Sequence, residues 1–335
     1  MMRQYLKPFS GLLAGLLLCG CTEQQAWDAD GLIRLGAKPD IYTRASVNDL
    51  AGLSAVGNKV GVYGVVTQRE DAASSLLTEE WGTALLMNNV RTSAIDAATG
   101  ALSWEGAYAY PLEEGRLVKF CVYHPHAEVA TGDGEATGIV GGNYVEVPEK
   151  SSPVLHFNLT GAEDVMWVKP VVGSRTTPPA ALVFDHLLTQ LRFRLTDDEG
   201  NFADTKITGL LFNAVNTVST LNLEDGKLGE WSTPSDAVAF PLPAPVNITG
   251  KSDAPQNLQG EVMLQPGLPE FRMTVKTDNK GDFPNVVIRP TGGETVFAAG
   301  HSYMVTLKFR ERTPIALSAI VTPWVMDGTG EGTVD

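Results

Sequence analysis

The chain has 335 residues, of which 43% are hydrophobic and 19% charged, and its formal net charge is −14. This length fits about two domains of ~150 residues, and the hydrophobic content excludes wholesale disorder. No nucleic-acid partner is expected, because sequence-independent binding to phosphates needs an excess of Lys and Arg, whereas 25 of them stand here against 39 Asp and Glu. Three cysteines are too few for a disulfide scaffold.

The first residues read as an export signal. Arg3 and Lys7 precede an apolar run, residues 11–18, which is much shorter than the ~20 residues that span a bilayer. The run ends in Leu-Cys-Gly-Cys, which resembles the lipobox of bacterial lipoproteins, with Cys21 as the residue that receives the lipid. We therefore predict a lipoprotein signal peptide over 1–20 and a lipid tether on Cys21 that needs no transmembrane helix. The alternative is an ordinary secretory signal with an incidental cysteine.

The body of the chain is predicted to be all-β. Apolar and polar residues alternate along 190–196 and 303–310, the period of a half-buried strand. Further candidate strands are residues 59–67, 117–123, 144–147, 154–159, 206–213, 219–223, 261–264, 271–276 and 286–288. Turn-forming sequences separate them, which is typical of β-sandwiches. Residues 74–81 and 93–97 are the candidates for short helical turns.

A polar, proline-containing stretch at 173–179 is the candidate boundary between two domains. We expect an N-terminal β-sandwich domain over 45–178 and a C-terminal one over 179–335. Residues 21–44, which precede them, form a propeptide in the interpretation developed below.

Motifs for enzymatic chemistry are missing from the sequence. It contains neither a Gly-x-Ser-x-Gly nucleophile elbow nor a P-loop, so no catalytic residue and no cofactor is predicted. His124 and His126 could begin a metal site if the strand continued through them. The proline between them favours two rings at the rim of a strand, and no metal is predicted. Cys121 is interpreted as a buried, unpaired thiol.

Aromatic residues offer a second interpretation. Trp81, Trp104, Tyr108 and Tyr110 could form a platform for stacking sugars, although core or rim packing is favoured. A glycan-binding surface lipoprotein that does not polymerise therefore stays open as an alternative function.

Both ends of the folded part carry a further signal. Near the N-terminus, residues 32–35 form a plausible strand, and Arg44 follows in a polar stretch that a trypsin-like protease could reach. Near the C-terminus, alternate positions are apolar along an extended strand, which can complete its own sheet or add to a neighbour's. These positions are Ile315, Leu317, Ala319, Val321, Pro323 and Val325. Pro323 suits an edge or exchanged strand, because it has no N–H to donate.

Several segments in order resemble the fimbrillin family, the type V pilus subunits of Bacteroides-type bacteria. They are Thr43-Arg44-Ala45, residues 60–64, 110–112, 118–125, 164–167, 184–193 and 299–303, and Val321-Thr322-Pro323-Trp324-Val325. Together they cover nearly the whole chain from Leu32.

That resemblance implies two transthyretin-like, Greek-key β-sandwich domains in tandem and export as a lipoprotein to the outer membrane and cell surface. It also implies cleavage between Arg44 and Ala45 by an arginine-specific protease, with loss of the strand at 32–35. The groove left behind would accept residues 313–325 of another pilin subunit. Such a fimbrium would contact a host or bacterial receptor. The last strand could instead close its own domain, as in a tip, anchor or accessory subunit.

Overall fold

The computed structural model describes residues 31–38, 50–55, 59–68, 81, 84–130, 143–147, 151–291, 293–310 and 318–321. By its contacts the chain divides into two units, Met1–Gly31 and Leu32–Asp335, and the second unit is described below. Helix in these ranges is limited to α1, Leu50–Ser54. Within the described residues, no helix has the length and apolar character needed to cross a membrane.

The predicted all-β fold is confirmed by the strands. In chain order they are β1 Gly61–Gln68, β2 Leu85–Ile95, β3 Leu102–Trp104, β4 Arg116–His124, β5 Glu128–Val129, β6 Tyr144–Glu146, β7 Val154–Asn158, β8 Met166–Gly173, β9 Phe184–His186, β10 Thr189–Thr196, β11 Lys206–Asn213, β12 Val215–Asn222, β13 Ser232–Ser235, β14 Val246–Asn247, β15 Gln256–Asn257, β16 Val262–Leu264, β17 Phe271–Thr277, β18 Phe283–Ile288, β19 Ser302–Lys308 and β20 Ser318–Val321. The helical turn expected at 93–97 is wrong in its first half, because Ser93–Ile95 extend β2. Residues 74–80 of the other expected turn lie outside the described residues.

A six-stranded antiparallel sheet forms the centre of the N-terminal half, in the order β3-β2-β1-β4-β8-β9. Its strand β4 is buried continuously from Phe120 to His124, because both faces of the sheet are covered. Phe120 and Val122 join the hydrophobic cluster on one face, named here the N-terminal core, and Cys121 and Tyr123 join the cluster on the other, the middle core.

A second sheet covers the middle core, in the order β13-β12-β7-β6-β5. It contributes buried side chains such as Leu155, Phe157 and Leu221. Strand β7 pairs with β12 along five residues of each strand, so this sheet joins residues on both sides of position 178. The domain bounds 45–178 and 179–335 stay a prediction.

Two further sheets enclose the C-terminal core. One contains β15, β10, β19 and β20, with β16 also pairing with β10, and the other has the order β14-β11-β17-β18. Strands β10 and β19 run parallel in register over seven residues, and their alternating apolar side chains, predicted above, are buried. Phenylalanine rings in mutual contact fill much of the interior, among them Phe193, Phe212, Phe240, Phe271 and Phe297.

Candidate functional site

Residues 32–38, named here the N-terminal segment, lie extended between two other parts of the chain. Backbone bridges pair Leu32 with Ala109 and Gly36 with Ala101, both antiparallel, and Ala37 with Leu182 in parallel. Main-chain N–H groups of the segment donate hydrogen bonds to these two parts, and its carbonyls accept others. These bonds run from Ile33 to Tyr108 O (2.8 Å), Ala37 to Gly100 O (2.8 Å), Lys38 to Leu182 O (2.9 Å), Leu102 to Leu35 O (2.9 Å) and Leu182 to Gly36 O (2.9 Å). Main-chain pairing with residues 100–109 and Leu182 therefore positions the segment.

Side chains of the N-terminal segment alternate between inside and outside. Ile33 and Leu35 are each 3% exposed and Ala37 is 4% exposed, whereas Arg34 and Lys38 are exposed. The inward side chains belong to the N-terminal core, together with Phe120 and Val122 of the central strand. We call the surface beneath them the groove: its walls are residues 100–109 and Leu182, and its floor is the N-terminal core. The strand predicted at 32–35 therefore has the burial pattern expected of a strand that completes a core.

The turn at residues 96–100, which leads into the groove wall, allows the N-terminal segment to come close to it. Asp96 Oδ1 accepts hydrogen bonds from the amides of Ala98 (3.0 Å) and Thr99 (2.7 Å) and from the Thr99 hydroxyl (2.9 Å). These bonds lower the pKa of the exposed Asp96 carboxyl. They hold Gly100 at φ +74°, where a β-carbon would lie 1.8 Å from the carbonyl oxygen of Ala37. Gly100 is thus needed both for its backbone conformation and for contact with the segment.

Two of the candidate sugar-binding aromatics lie at the rim of the groove. Trp104 and Tyr108 are half-buried against the N-terminal core and meet edge to face, with ring centroids 6.3 Å apart at 73°. Trp81 and Tyr110 are buried, and burial raises the pKa of Tyr110 to about 12. The four rings therefore do not form one exposed platform.

The two candidate metal-binding histidines have the surroundings of packing residues. His124 is 3% exposed, with Nδ1 2.8 Å from the carbonyl oxygen of Asp164, and burial lowers its pKa. His126 is half-buried, and desolvation likewise lowers its pKa. Among the described residues, no group of three or more His, Cys, Asp or Glu side chains is arranged to hold a metal ion.

The Cys121 thiol is buried and unpaired, as predicted, and burial raises its pKa to about 12, which makes it a poor nucleophile.

The remaining predicted site residues fall mostly beyond the described ranges. Cys21, Arg44, Ala45, Ile315, Leu317 and Val325 lie outside them. Ala319 and Val321 belong to β20, which pairs antiparallel with β19 of the same chain, Val321 facing Tyr303. The last strand therefore adds to its own C-terminal sheet in this structure.

Sequence reasoning missed the walls of the groove. The run Asp96-Ala97-Ala98-Thr99-Gly100 is a recognisable turn signal, but nothing in it indicates that Gly100 faces Ala37. Leu182 was also missed, since a single leucine in a loop is unremarkable without its partner.

Comparison with known proteins places the chain in a family. A family model described as fimbrillin-like matches residues 43–324. The chain belongs to the fimbrillin-like family. None of the curated protein sequences matches it significantly. Membership of this family points to a structural, non-enzymatic protein, as predicted.

Solved structures extend this comparison to the fold. A proposed cell adhesion protein of Bacteroides uniformis is 17% identical, with a TM-score of 0.54 over 88% of this fimbrillin-like chain and all of its own. Another of Bacteroides ovatus is 15% identical, with a TM-score of 0.49 over 80% and 88% of the two chains. A fimbrial assembly protein of Parabacteroides distasonis is 12% identical, with a TM-score of 0.38 over 86% and 92%. At such identities the first of these shows a shared fold.

Proposed function

We propose that this chain is a structural and adhesive subunit of a cell-surface pilus. It is exported as a lipoprotein through Cys21, cleaved after Arg44 and assembled by exchange of strands between subunits at the outer membrane. Family membership supports a pilus or adhesion subunit at the cell surface that interacts with other pilin subunits, and the names of the similar structures agree with it. The observation that carries the proposal is the N-terminal segment, which fills a groove and ends six residues before Arg44.

Release of the segment would leave two kinds of unsatisfied surface. The inward side chains of Ile33 and Leu35 each contribute about 1.5–3 kcal/mol by burial. Loss of the main-chain hydrogen bonds described above would leave donors and acceptors of the groove walls unpaired, such as Leu102 N–H and Tyr108 O. A new strand satisfies the apolar floor and the polar walls together, which is the logic of strand addition.

The C-terminal strand suits this groove by its apolar pattern. Six alternate apolar residues, from Ile315 to Val325, exceed the three inward residues of the N-terminal segment. Exchange is therefore favourable once cleavage has freed the groove. If each subunit donates its strand to the next, the head-to-tail addition does not close on itself and the product is a filament.

The domain arrangement is part of the same proposal. Two transthyretin-like sandwiches, over 45–178 and 179–335, would place the groove wall at 100–109 in the first, and Leu182 and the donor strand in the second. The Bacteroides uniformis structure shares the fold over 88% of this chain, so the proposed arrangement can be compared with it along most of the length.

The pilus proposal is tested by protease treatment of the chain expressed from residue 22. An arginine-specific protease should produce a new N-terminus at Ala45, measured by mass spectrometry, followed by a ladder of oligomers. Arg44→Gln is the matched control and should stay intact at this bond and monomeric. Cleavage at Ala45 without oligomers would contradict assembly through the groove.

A second candidate is a non-polymerising subunit that anchors the pilus or binds glycans through Trp104 and Tyr108. The pairing of β20 with β19 in the same chain favours it, because the last strand then closes its own sheet. This candidate predicts that the protein recovered from cells keeps the lipid on Cys21 and is uncut at Arg44.

A further inference from the structure

The C-terminal core begins and ends on two neighbouring strands. Its first buried residue in chain order, Leu191, lies in β10, and its last, Phe309, follows directly after β19. The strands β11–β18 all lie between these two in sequence. A pull on the two ends of this part of the chain therefore reaches β10 and β19 before any other strand.

Because β10 and β19 run parallel, the chain enters the pair at one end and leaves it at the other. Seven residues of each strand pair in one register, which gives a ladder about 20 Å long. Tension between the start of β10 and the end of β19 acts along the strands. It loads all the bonds of the ladder together, whereas tension across the strands would open them one after another.

Main-chain hydrogen bonds extend this pairing past both ends of the ladder. Gly300 N–H donates to Leu188 O and Phe309 N–H donates to Thr196 O, each at 2.8 Å. The apolar side chains of both strands lie in the C-terminal core, so water has no access to the bonds from that side. Sliding must therefore break bonds that water cannot replace at once.

Side chains tie the same two strands at two positions of the register. Ser302 Oγ donates to Gln190 Oε1, and Arg194 Nε donates to Thr306 Oγ1 at 2.7 Å. The members of each pair face each other in the ladder. Gln190 is 0% exposed and Thr306 is 4% exposed, so these bonds are also shielded from water and are strengthened by their surroundings.

We infer that β10 and β19, named here the clamp, keep the C-terminal core folded when the chain is under tension. This inference rests on the proposed pilus function, in which each subunit passes load to the next, and adds the contact that bears the load. Load that leaves toward the C-terminus passes through β19. In its sheet β19 lies between β10 and β20, and β20 is the edge strand among those described. β10 is therefore the strand that holds β19 in the sheet.

Single-molecule pulling in two directions tests the clamp. The chain from residue 22 retains only the buried Cys121, so introduced cysteines can carry the handles. Asp185→Cys with Arg310→Cys applies force along the strands, because the two positions lie just before β10 and just after β19. Glu199→Cys with the same Arg310→Cys opens the clamp from one end, because Glu199 follows β10. All three positions are exposed.

The direction of pulling should decide the force. At the same loading rate, the pair that pulls along the strands should need at least about twice the force of the pair that opens the clamp from one end. The same two strands separate in both cases, so the difference reports the geometry of loading. Equal forces in the two directions would overturn the clamp.

Two threonine variants separate the clamp from the rest of the core. Thr306→Val removes the hydroxyl bonded to Arg194 and keeps a β-branched side chain, so it should raise the rate of unfolding at constant force along the strands about two- to tenfold. Thr274→Val is the matched control, because the Thr274 hydroxyl donates to Asn213 Oδ1 (3.2 Å) between β17 and β11, outside the clamp. It should change the rate less than about twofold. An equal increase in both variants would assign the resistance to the whole core and overturn the inference.

The clamp and the pilus proposal fail in different measurements. Equal forces in the two pulling directions overturn the clamp and leave the oligomer ladder of the protease experiment unaffected. Absence of that ladder overturns the pilus proposal, and with it the tension that the clamp is inferred to bear, even where the two pulling directions differ.

Discussion

The N-terminal and C-terminal cores are closed in different ways. Two sheets enclose the C-terminal core, and its central strands β10 and β19 pair over seven residues. On its open face the N-terminal core is instead covered by the N-terminal segment, which is held by isolated bridges and three inward side chains. In the C-terminal core, the strands that close the core belong to the two sheets themselves. The N-terminal segment can be removed without unpairing any strand of the six-stranded sheet.

The two kinds of closure have different consequences for the stability of a core and for assembly. A core closed by its own sheets does not depend on the N-terminal segment, although β20 near the C-terminus is an edge strand of one of its sheets. A core closed by a terminal segment exposes a ready acceptor site once that segment leaves. The four predictions that follow test this comparison, beginning with the largest effect.

Removal of the segment is expected to have the largest effect. A chain that begins at residue 45 should lose about 3–6 kcal/mol from Ile33 and Leu35 alone in its N-terminal core. Hydrogen exchange at the amides of Leu102 and Leu182, which donate to the segment, should accelerate about a hundredfold or more. The amide of Leu258, which donates to Phe193 O in the C-terminal core, should keep its protection. Equal acceleration at Leu258 would mean that the two cores open together.

Leu35→Ala should destabilise the N-terminal core by about 2–5 kcal/mol, because the side chain is 3% exposed and leaves a cavity. Denaturant unfolding and exchange at Leu102 measure the effect. Lys38→Ala, at an exposed position, should change stability by less than about 0.5 kcal/mol. A loss as large at Lys38 would show that inward burial is not what holds the segment.

Gly100→Ala should have an intermediate effect. The added β-carbon would collide with the Ala37 carbonyl in addition to adopting an unfavourable positive φ. Gly106→Ala is the matched control, since Gly106 also has a positive φ of +88° but no atom within 4 Å of the built β-carbon. Gly100→Ala should cost at least about 1 kcal/mol more than the control, measured by thermal unfolding. Equal losses of stability in the two variants would show that contact with Ala37 is not the reason why Gly100 is needed.

A pH effect should be the smallest and should originate on the N-terminal side. Burial lowers the pKa of His124 in the folded chain, so the unfolded chain binds more protons below about pH 6.5. Stability is therefore retained above this pH and declines as the pH falls from 7 to 5. His124→Gln should flatten the decline, as followed by the midpoint of denaturant unfolding at each pH. An unchanged slope in this variant would assign the decline to other groups, such as His126, whose pKa is also lowered.

The strand content of this chain was largely readable from its sequence. β10 and β19 alternate apolar and polar residues, and β4 contains the apolar run Phe120–Tyr123, so each carries its own signal. β2 was missed because Asn88, Asn89 and Arg91 interrupt its apolar pattern. Asn89 is buried by the fold, where its Nδ2 donates to the Ala127 carbonyl at 2.7 Å, a partner that local sequence cannot reveal.

The sequence predicts the strand that fills the groove but not the walls of the groove. The sequence predicts a strand at 32–35, and the alternation along 315–325 predicts a strand with one apolar face. The walls come from residues 100–109 and Leu182, which lie far away in sequence and signal nothing by themselves.

By itself, the sequence determined the all-β class; the lipoprotein signal with Cys21, the cleavage site at Arg44 and the apolar face of the C-terminal strand stay predictions from it. These follow from local periodicity and short motifs, since a strand side chain has only two faces to choose from. Only the tertiary structure decided that Ile33, Leu35 and Ala37 complete a core and that Gly100 must lack a side chain. Such facts depend on pairing between segments that lie far apart in the sequence, which local patterns do not record.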